Sequence, residues 1–224
     1  MAFDKEKLDK QLGLEIHEHL KTLGVQTPIT SLVSMPDDGK IEEIIPHVQE
    51  ILSILGLDLQ DDSLKDTARR VAKMWVREKF WGLRPENFPK MMTIENKMKY
   101  SQMVCERKIR LLSECEHHLQ TIDGYAHVAY ISNGKILGLS KINRIVQYFA
   151  ARPQVQERIG EQVGEALKYI LGTENVAVVI EAKHYCVIAR GAKDYESETT
   201  TSFLSGQFLN DPTVRAEFFA VINK

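Results

Sequence analysis

The chain has 224 residues, 43% apolar and 27% charged, which supports a sizeable core and excludes disorder over most of its length. A formal net charge of −2 and a pI near 6.4 exclude a general nucleic-acid or anionic-membrane surface, so neither partner is expected. The opening MAFDKEKLDKQL lacks the apolar core of a signal peptide and no run approaches a membrane span. The three cysteines, Cys105, Cys115 and Cys186, do not make a secreted disulfide framework, so a cytoplasmic chain is expected.

The first half reads as helices. From Asp4 to Gly24, Leu8, Leu12, Ile16, Leu20 and Leu23 fall on one helical stripe that Gly24 can stop. In KIEEIIPHVQEILSILG, Ile41, Ile44, Ile45, Val48, Ile51, Leu52 and Leu55 keep the same spacing, and Pro46 predicts a kink or a helix that starts there. A third helix is expected from Asp62 or Ser63 to Gly82.

After LRPENFPK the period changes. MVCERKIRLLSE reads as a strand with some helical ambiguity, YAHVAYI as a clearer one, and KILGL as a short strand after the turn SNG. Ser140 is expected to cap a helix carrying Ile142, Ile145, Val146 and Phe149. Arg152-Pro153 breaks it, and a second helix runs from about Gln154 to Leu171, ended by Gly172. NVAVVIEAKHYCVIARG reads as one long strand and TTTSFLSGQF as another. The order predicts an α+β fold, an antiparallel sheet with two helices on one face, with residues 1–94 as a helical extension and 95–224 as the core.

Within SECEHHLQTIDG, Cys115 and His118 are three apart and face the same way on a helical turn. His184 and Cys186 are two apart and share a face of a strand. If that strand lies beside the turn, two thiolates and an imidazole converge, three ligands for zinc with a fourth position open to water. Spacing alone leaves isolated core thiols and surface histidines as the alternative. Cys105 has no histidine neighbour and reads as filler.

The set CEHHLQTIDG, HVAYI, GLSKINRIVQYFAARPQVQER, VAVVIEAKHYCVIARG and TTTSF resembles GTP cyclohydrolase I, most strongly from about Glu95 onward. The resemblance implies a T-fold core, a ring-shaped homodecamer, and conversion of GTP and water to formate and 7,8-dihydroneopterin triphosphate. It implies that Cys115, His118 and Cys186 hold zinc and that Glu157 anchors guanine, with Gln156 beside it in the catalytic set. This chain departs from the family pattern at Thr67-Ala68-Arg69-Arg70, where Thr-Pro-x-Arg is frequent, and in carrying Pro46.

That chemistry assigns further roles. Opening the imidazole ring at C8 needs a hydroxide, which zinc supplies by lowering its water's pKa to about 7, and an acid for the nitrogen released. His117, beside a ligand, is the expected acid; His184 is placed for the later proton transfers, and Ser140 for a ribose hydroxyl. Glu157 can accept both donors of the guanine N1/N2 edge. The triphosphate needs local cations: Lys141, Arg144 and Arg190 surround the motifs and Arg70 joins from the extension. Glu116 reads as a support for the metal turn. Two rivals remain, a T-fold nitrile reductase with a nucleophilic cysteine and a metal-stabilised nucleotide-binding assembly without catalysis. Metal content, nicotinamide consumption and formate release separate the three.

Overall fold

The computed structural model describes residues 5–224. Helix α1 spans Lys10–Thr22 and begins where the Asp9 carboxylate accepts the Leu12 N–H at 3.0 Å, satisfying a donor that the first turn leaves open. The expected start at Asp4 lies outside the described residues. Lys5–Lys7 form a separate 3-10 turn, and Leu8 bridges to Pro89. Ile16 and Leu20 enter the core, Leu12 packs against it, and Leu23 stays exposed.

Helix α2 spans Asp37–Ile54, with Pro46 inside it rather than at its start. Pro46 is exposed, so the Glu42 carbonyl that loses its partner lies on the solvent side, and Asp37 and Asp38 favour the earlier start through the helix dipole. The Pro46→Ala variant should therefore gain stability, by about 1–3 kcal/mol in urea unfolding, because the missing hydrogen bond returns and the ring clash goes. An unchanged midpoint would mean that the helix already accommodates the ring without cost. Ile41 and Val48 are buried, whereas Ile51 and Leu55 of the expected stripe are exposed, as is Ile54.

Helix α3 spans Thr67–Met74 and runs into a π-helical turn at Trp75–Lys79. It starts later than Asp62 or Ser63 because Asp61 draws the Ser63 N–H and hydroxyl onto its own carboxylate, which holds that segment in turns. Gly82 lies past its end and permits close docking of the extension: a Cβ there would come within 2.0 Å of the Tyr148 carbonyl.

The strands are β1 (Thr93–Glu95), β2 (Met103–Cys115), β3 (Thr121–Ile131), β4 (Lys135–Leu137), β5 (Pro153–Gln154), β6 (Val176–His184) and β7 (Thr199–Leu204). Between and after them come α4 (Leu139–Ala150), α5 (Gln156–Leu171), α6 (Tyr185–Ile188), α7 (Gln207–Asn210) and α8 (Pro212–Ile222). The main sheet runs β5-β2-β3-β6-β7, antiparallel except for the short parallel β5 edge. The KILGL strand does not join it: β4 pairs with β1 in a separate two-stranded sheet.

Period-2 alternation divides the sheet into two faces. Val128, Tyr130, Val178 and Ile180 meet Ile142, Ile145, Phe149, Ile159 and Val163 of α4 and α5 in the main core, as the sequence predicts. Ile16, Leu20 and Phe88 of the extension belong to the same cluster. The opposite face is not bare, contrary to the expectation of helices on one side only. Ala129, Ala177 and Val179 are covered by Phe208 and Phe218 from α7 and α8. Gly172 ends α5 in the left-handed region at φ 63°, a conformation free of penalty for glycine.

Candidate active site

The polypeptide turns back on itself just after Cys115, the last residue of β2. Cys115 N–H donates to Gln120 O at 2.7 Å and Leu119 N–H to Cys115 O at 2.8 Å. Leu119 adopts φ 50°, a left-handed conformation that costs a branched residue about 1–3 kcal/mol and is held by these bonds. The turn thrusts His117 and His118 into solvent while Cys115 stays buried.

Antiparallel pairing of β3 with β6 sets Ile122 opposite His184, so the end of β6 arrives beside the Cys115 turn. The chain then leaves the sheet. Cys186 lies in the helical turn α6, not in a continued strand, and that turn rather than strand alternation swings its thiol toward Cys115. The donor atoms of Cys115, His118 and Cys186 all lie within 4.8 Å of one another. Donors sharing one tetrahedral zinc sit about 3.5–3.8 Å apart, so two sulfurs and an imidazole nitrogen fit zinc after a small contraction. Burial and the neighbouring Cys115 push the Cys186 thiol upward. A bound cation acts in the opposite sense, favouring thiolates.

His117 stands outside this triad, with Nδ1 3.7 Å from Cys115 Sγ and a largely exposed ring. Arg190 lies on the other side, its Nη1 3.0 Å from His118 Nε2. His184 and Gln156 form a fixed pair: His184 Nε2 lies 2.8 Å from Gln156 Oε1. The Gln156 amide nitrogen donates to Ile180 O at 3.0 Å, Thr199 O at 3.0 Å and Thr201 Oγ1 at 3.1 Å, so its oxygen must face the histidine. His184 therefore donates from Nε2 and keeps Nδ1 as a free acceptor. Burial lowers its pKa, opposed by the charge of nearby Glu157, which is exposed in the first turn of α5.

Residues 44–223 match the GTP cyclohydrolase I family. The chain belongs to that family. The GTP cyclohydrolase 1 of Photobacterium profundum is 55% identical over 207 residues, spanning 92% of this chain and 95% of that one. Those of Vibrio cholerae serotype O1 and Aeromonas hydrophila subsp. hydrophila are 54% and 53% identical over 203 and 214 residues, covering 91% and 95% of this chain and 93% and 97% of theirs. The protein is an enzyme of the GTP cyclohydrolase I family.

The remaining residues singled out from the sequence are distributed differently. Ser140 does not cap α4, because Gly138 holds the N-cap position and Ser140 is exposed within the first turn. That turn follows Leu137, whose N–H donates to the Tyr130 hydroxyl at 3.1 Å, and so lies at the opposite end of β3 from Ile122 and His184. At roughly 3.3 Å per residue the strand separates the two ends by about 26 Å. Lys141 is there too, and burial lowers its pKa, followed by the charges of Arg144, Lys90 and Lys7.

Arg144, one turn further along α4, lines a groove of about 1,520 Å³ between the extension and β2 whose lining includes none of Cys115, His118 and Cys186. Arg70 is exposed on α3 and pairs with Asp66 at 3.8 Å. One chain thus gathers Cys115, His118, Cys186, His117, His184, Gln156, Glu157 and Arg190, and leaves Ser140, Lys141, Arg144 and Arg70 away from them.

Two supports were invisible in the sequence. Lys79, in the π turn, pairs with the buried carboxylate of Glu114 next to Cys115. Arg158 grips Glu116 with both arms, at 2.6 and 3.3 Å, and so lowers the pKa of that carboxyl. Arg158 follows Glu157 in the motif, but nothing in their spacing announces a partner so far away in the chain.

Proposed function

We propose that the protein opens the guanine imidazole ring of GTP hydrolytically, releases formate, and rearranges and closes the ribose to give 7,8-dihydroneopterin triphosphate. The observation that carries this reading is the convergence of Cys115, His118 and Cys186 at the end of the sheet where His117, His184 and Glu157 also stand. Cys115, His118 and Cys186 would hold zinc, which when bound would supply an acidified water at neutral pH. Glu157 accepts the N1 and N2 protons of guanine and so fixes which carbon faces that water. His117 donates a proton to the nitrogen that leaves C8, and the neutral Nδ1 of His184 takes up protons in the later ribose steps while Gln156 holds its ring. Ser140 bonds a ribose hydroxyl, and Lys141, Arg144, Arg190 and Arg70 neutralise the triphosphate.

The separation of Ser140 and Lys141 from the metal triad supports a site shared between chains. The proposed assembly is a T-fold ring in which sheets join edge to edge, since β7 leaves one edge of the main sheet unpaired among the described residues. Its core is residues 95–224 and residues 1–94 form its helical extension. A decamer would weigh about 256 kDa, ten chains of 25.6 kDa. Among the described residues no helix is long and apolar enough to cross a membrane, and three free cysteines suit the cytoplasm.

Purified protein incubated with GTP should release formate and a pterin in equal amounts. Zinc and GTP binding without formate would reduce the protein to a binding assembly. Mixing inactive Cys115→Ser and Lys141→Ala chains under subunit exchange should restore part of the activity, because some sites would receive both intact residues. An active monomer in light scattering would end the shared-site reading, and failure to complement despite proven exchange would assign both residues to one chain's site.

A further inference from the structure

Glu116 is joined to the N-terminal extension by an unbroken line of hydrogen bonds. Arg158 Nη1, besides gripping Glu116, donates to Gln154 Oε1 at 3.4 Å. Gln154 donates to Gln162 Oε1 at 2.8 Å, and Gln162 in turn donates to Val25 O at 2.8 Å and Thr27 Oγ1 at 3.1 Å. Gln154 and Gln162 are fully buried and Thr27 is 4% exposed. Val25 and Thr27 belong to the loop after α1.

The line has a single polarity. Gln162 must turn its nitrogen to the Val25 carbonyl, so its oxygen faces Gln154. Gln154 spends its second N–H on Phe149 O at 2.9 Å, so its oxygen faces Arg158. Every polar atom of the two amides is used, and in a dry interior such a network tolerates no alternative arrangement without leaving a group unpaired. The backbone joins the same line: Cys115 is the register partner of Gln154, and Glu116 N–H donates to Gln154 O at 2.9 Å. The metal-bearing turn is therefore fastened at Glu116 by both side chain and main chain to Gln154, and through it to the extension.

We propose that Arg158, Gln154, Gln162 and Thr27 form a positioning relay that sets the geometry of the Cys115–His118 turn, so that metal retention depends on how the extension is seated. None of the four is among the three donors that converge at the candidate metal site. This inference rests on the metal-centre reading above. It assigns a role at the metal to Thr27, a buried residue of the extension outside every motif that carries the family resemblance.

The test is zinc affinity, measured by chelator competition on folded protein well below each variant's unfolding temperature. Arg158→Met should weaken zinc binding about 10–100-fold, the usual consequence of losing a group that orients a ligand. Thr27→Val, nearly isosteric, should weaken it several-fold. The double variant should be less impaired than the product of the two, because the second change acts on a line already cut. Ile170→Val, a core change on α5 outside the relay, should lower Tm and leave zinc affinity unmoved.

Unchanged zinc affinity in Arg158→Met, or losses that multiply independently in the double variant, would overturn the relay while leaving the metal centre intact. Equal loss of affinity in Ile170→Val would reduce it to general stability. Wild-type protein that binds no zinc would instead overturn the metal-centre reading, and this inference with it.

Discussion

Cys115→Ser and Cys186→Ser should each lose most bound zinc and all detectable turnover. Among the described residues, each sulfur is one of three donors that lie within 4.8 Å of one another. Four-donor zinc sites are worth about 10–16 kcal/mol, so one donor contributes on the order of 3–4 kcal/mol, two to three decades of affinity. A serine hydroxyl does not replace it, because it stays protonated at neutral pH where a thiol beside a cation ionises. The fold should survive, since serine is close to cysteine in size and the other members of the core cluster that contains Cys115, Ile122 and Ala182 are unchanged. Metal content after dialysis, read with circular dichroism, checks this. A variant with stoichiometric zinc and near-normal turnover would remove that cysteine from the ligand set.

His117→Ala should behave in the opposite way, keeping its zinc and losing about 10²–10⁴ in kcat, the range for a missing general acid. The imidazole is next to the candidate ligand His118, outside the donor triad, and exposed enough to meet a substrate. Removing it leaves no buried cavity, so an effect on stability is not expected to obscure the result. The discriminating readout is the ratio of activity lost to metal lost. If the two fall together, His117 acts on the metal or on the turn, and the proton must come from elsewhere.

Helices α4 and α5 are legible because their apolar residues repeat at helical spacing against one sheet face and a glycine ends the second. Strand β2 is ambiguous for a local reason: its pairing with β3 slips between Glu106 and Ile109, where Lys108 takes φ 53°, and the slip breaks the alternation. Cys186 reads as part of a strand because VAVVIEAKHYCVI carries no glycine or proline where the sheet ends and α6 begins. The pairing of β4 with β1 is non-local and leaves no period. Helix α8 does carry a sequence signal, Asp211 as N-cap followed by Pro212 at the first helical position.

At the site, the candidate metal donors are named by motif resemblance, but their convergence depends on β3–β6 register, which composition does not encode. Periodicity in α2 marks Ile51 and Leu55 as one apolar face, and they are exposed, because a periodic stripe tells that a face is apolar and not what covers it.

The nearness of Cys115 and Cys186 also makes the protein sensitive to oxidants. The sulfur lone pairs that hold a metal are the ones an oxidant couples, so metallation and disulfide formation compete for the same two atoms. Their separation in the triad leaves only a short closure to the bond length of about 2.05 Å. Cys105, whose thiol burial pushes up to about 11, is too weakly ionised to intervene. Metal-free protein treated with a thiol oxidant should therefore form the Cys115–Cys186 bridge, giving up two electrons and two protons, and then refuse zinc until a reductant reopens it. Zinc-loaded protein should resist. Peptide mapping that found Cys105 in the bridge would contradict this. On this reading, loading with metal would also preserve the enzyme in air, and activity lost on storage should return with reductant and zinc together, not with either alone.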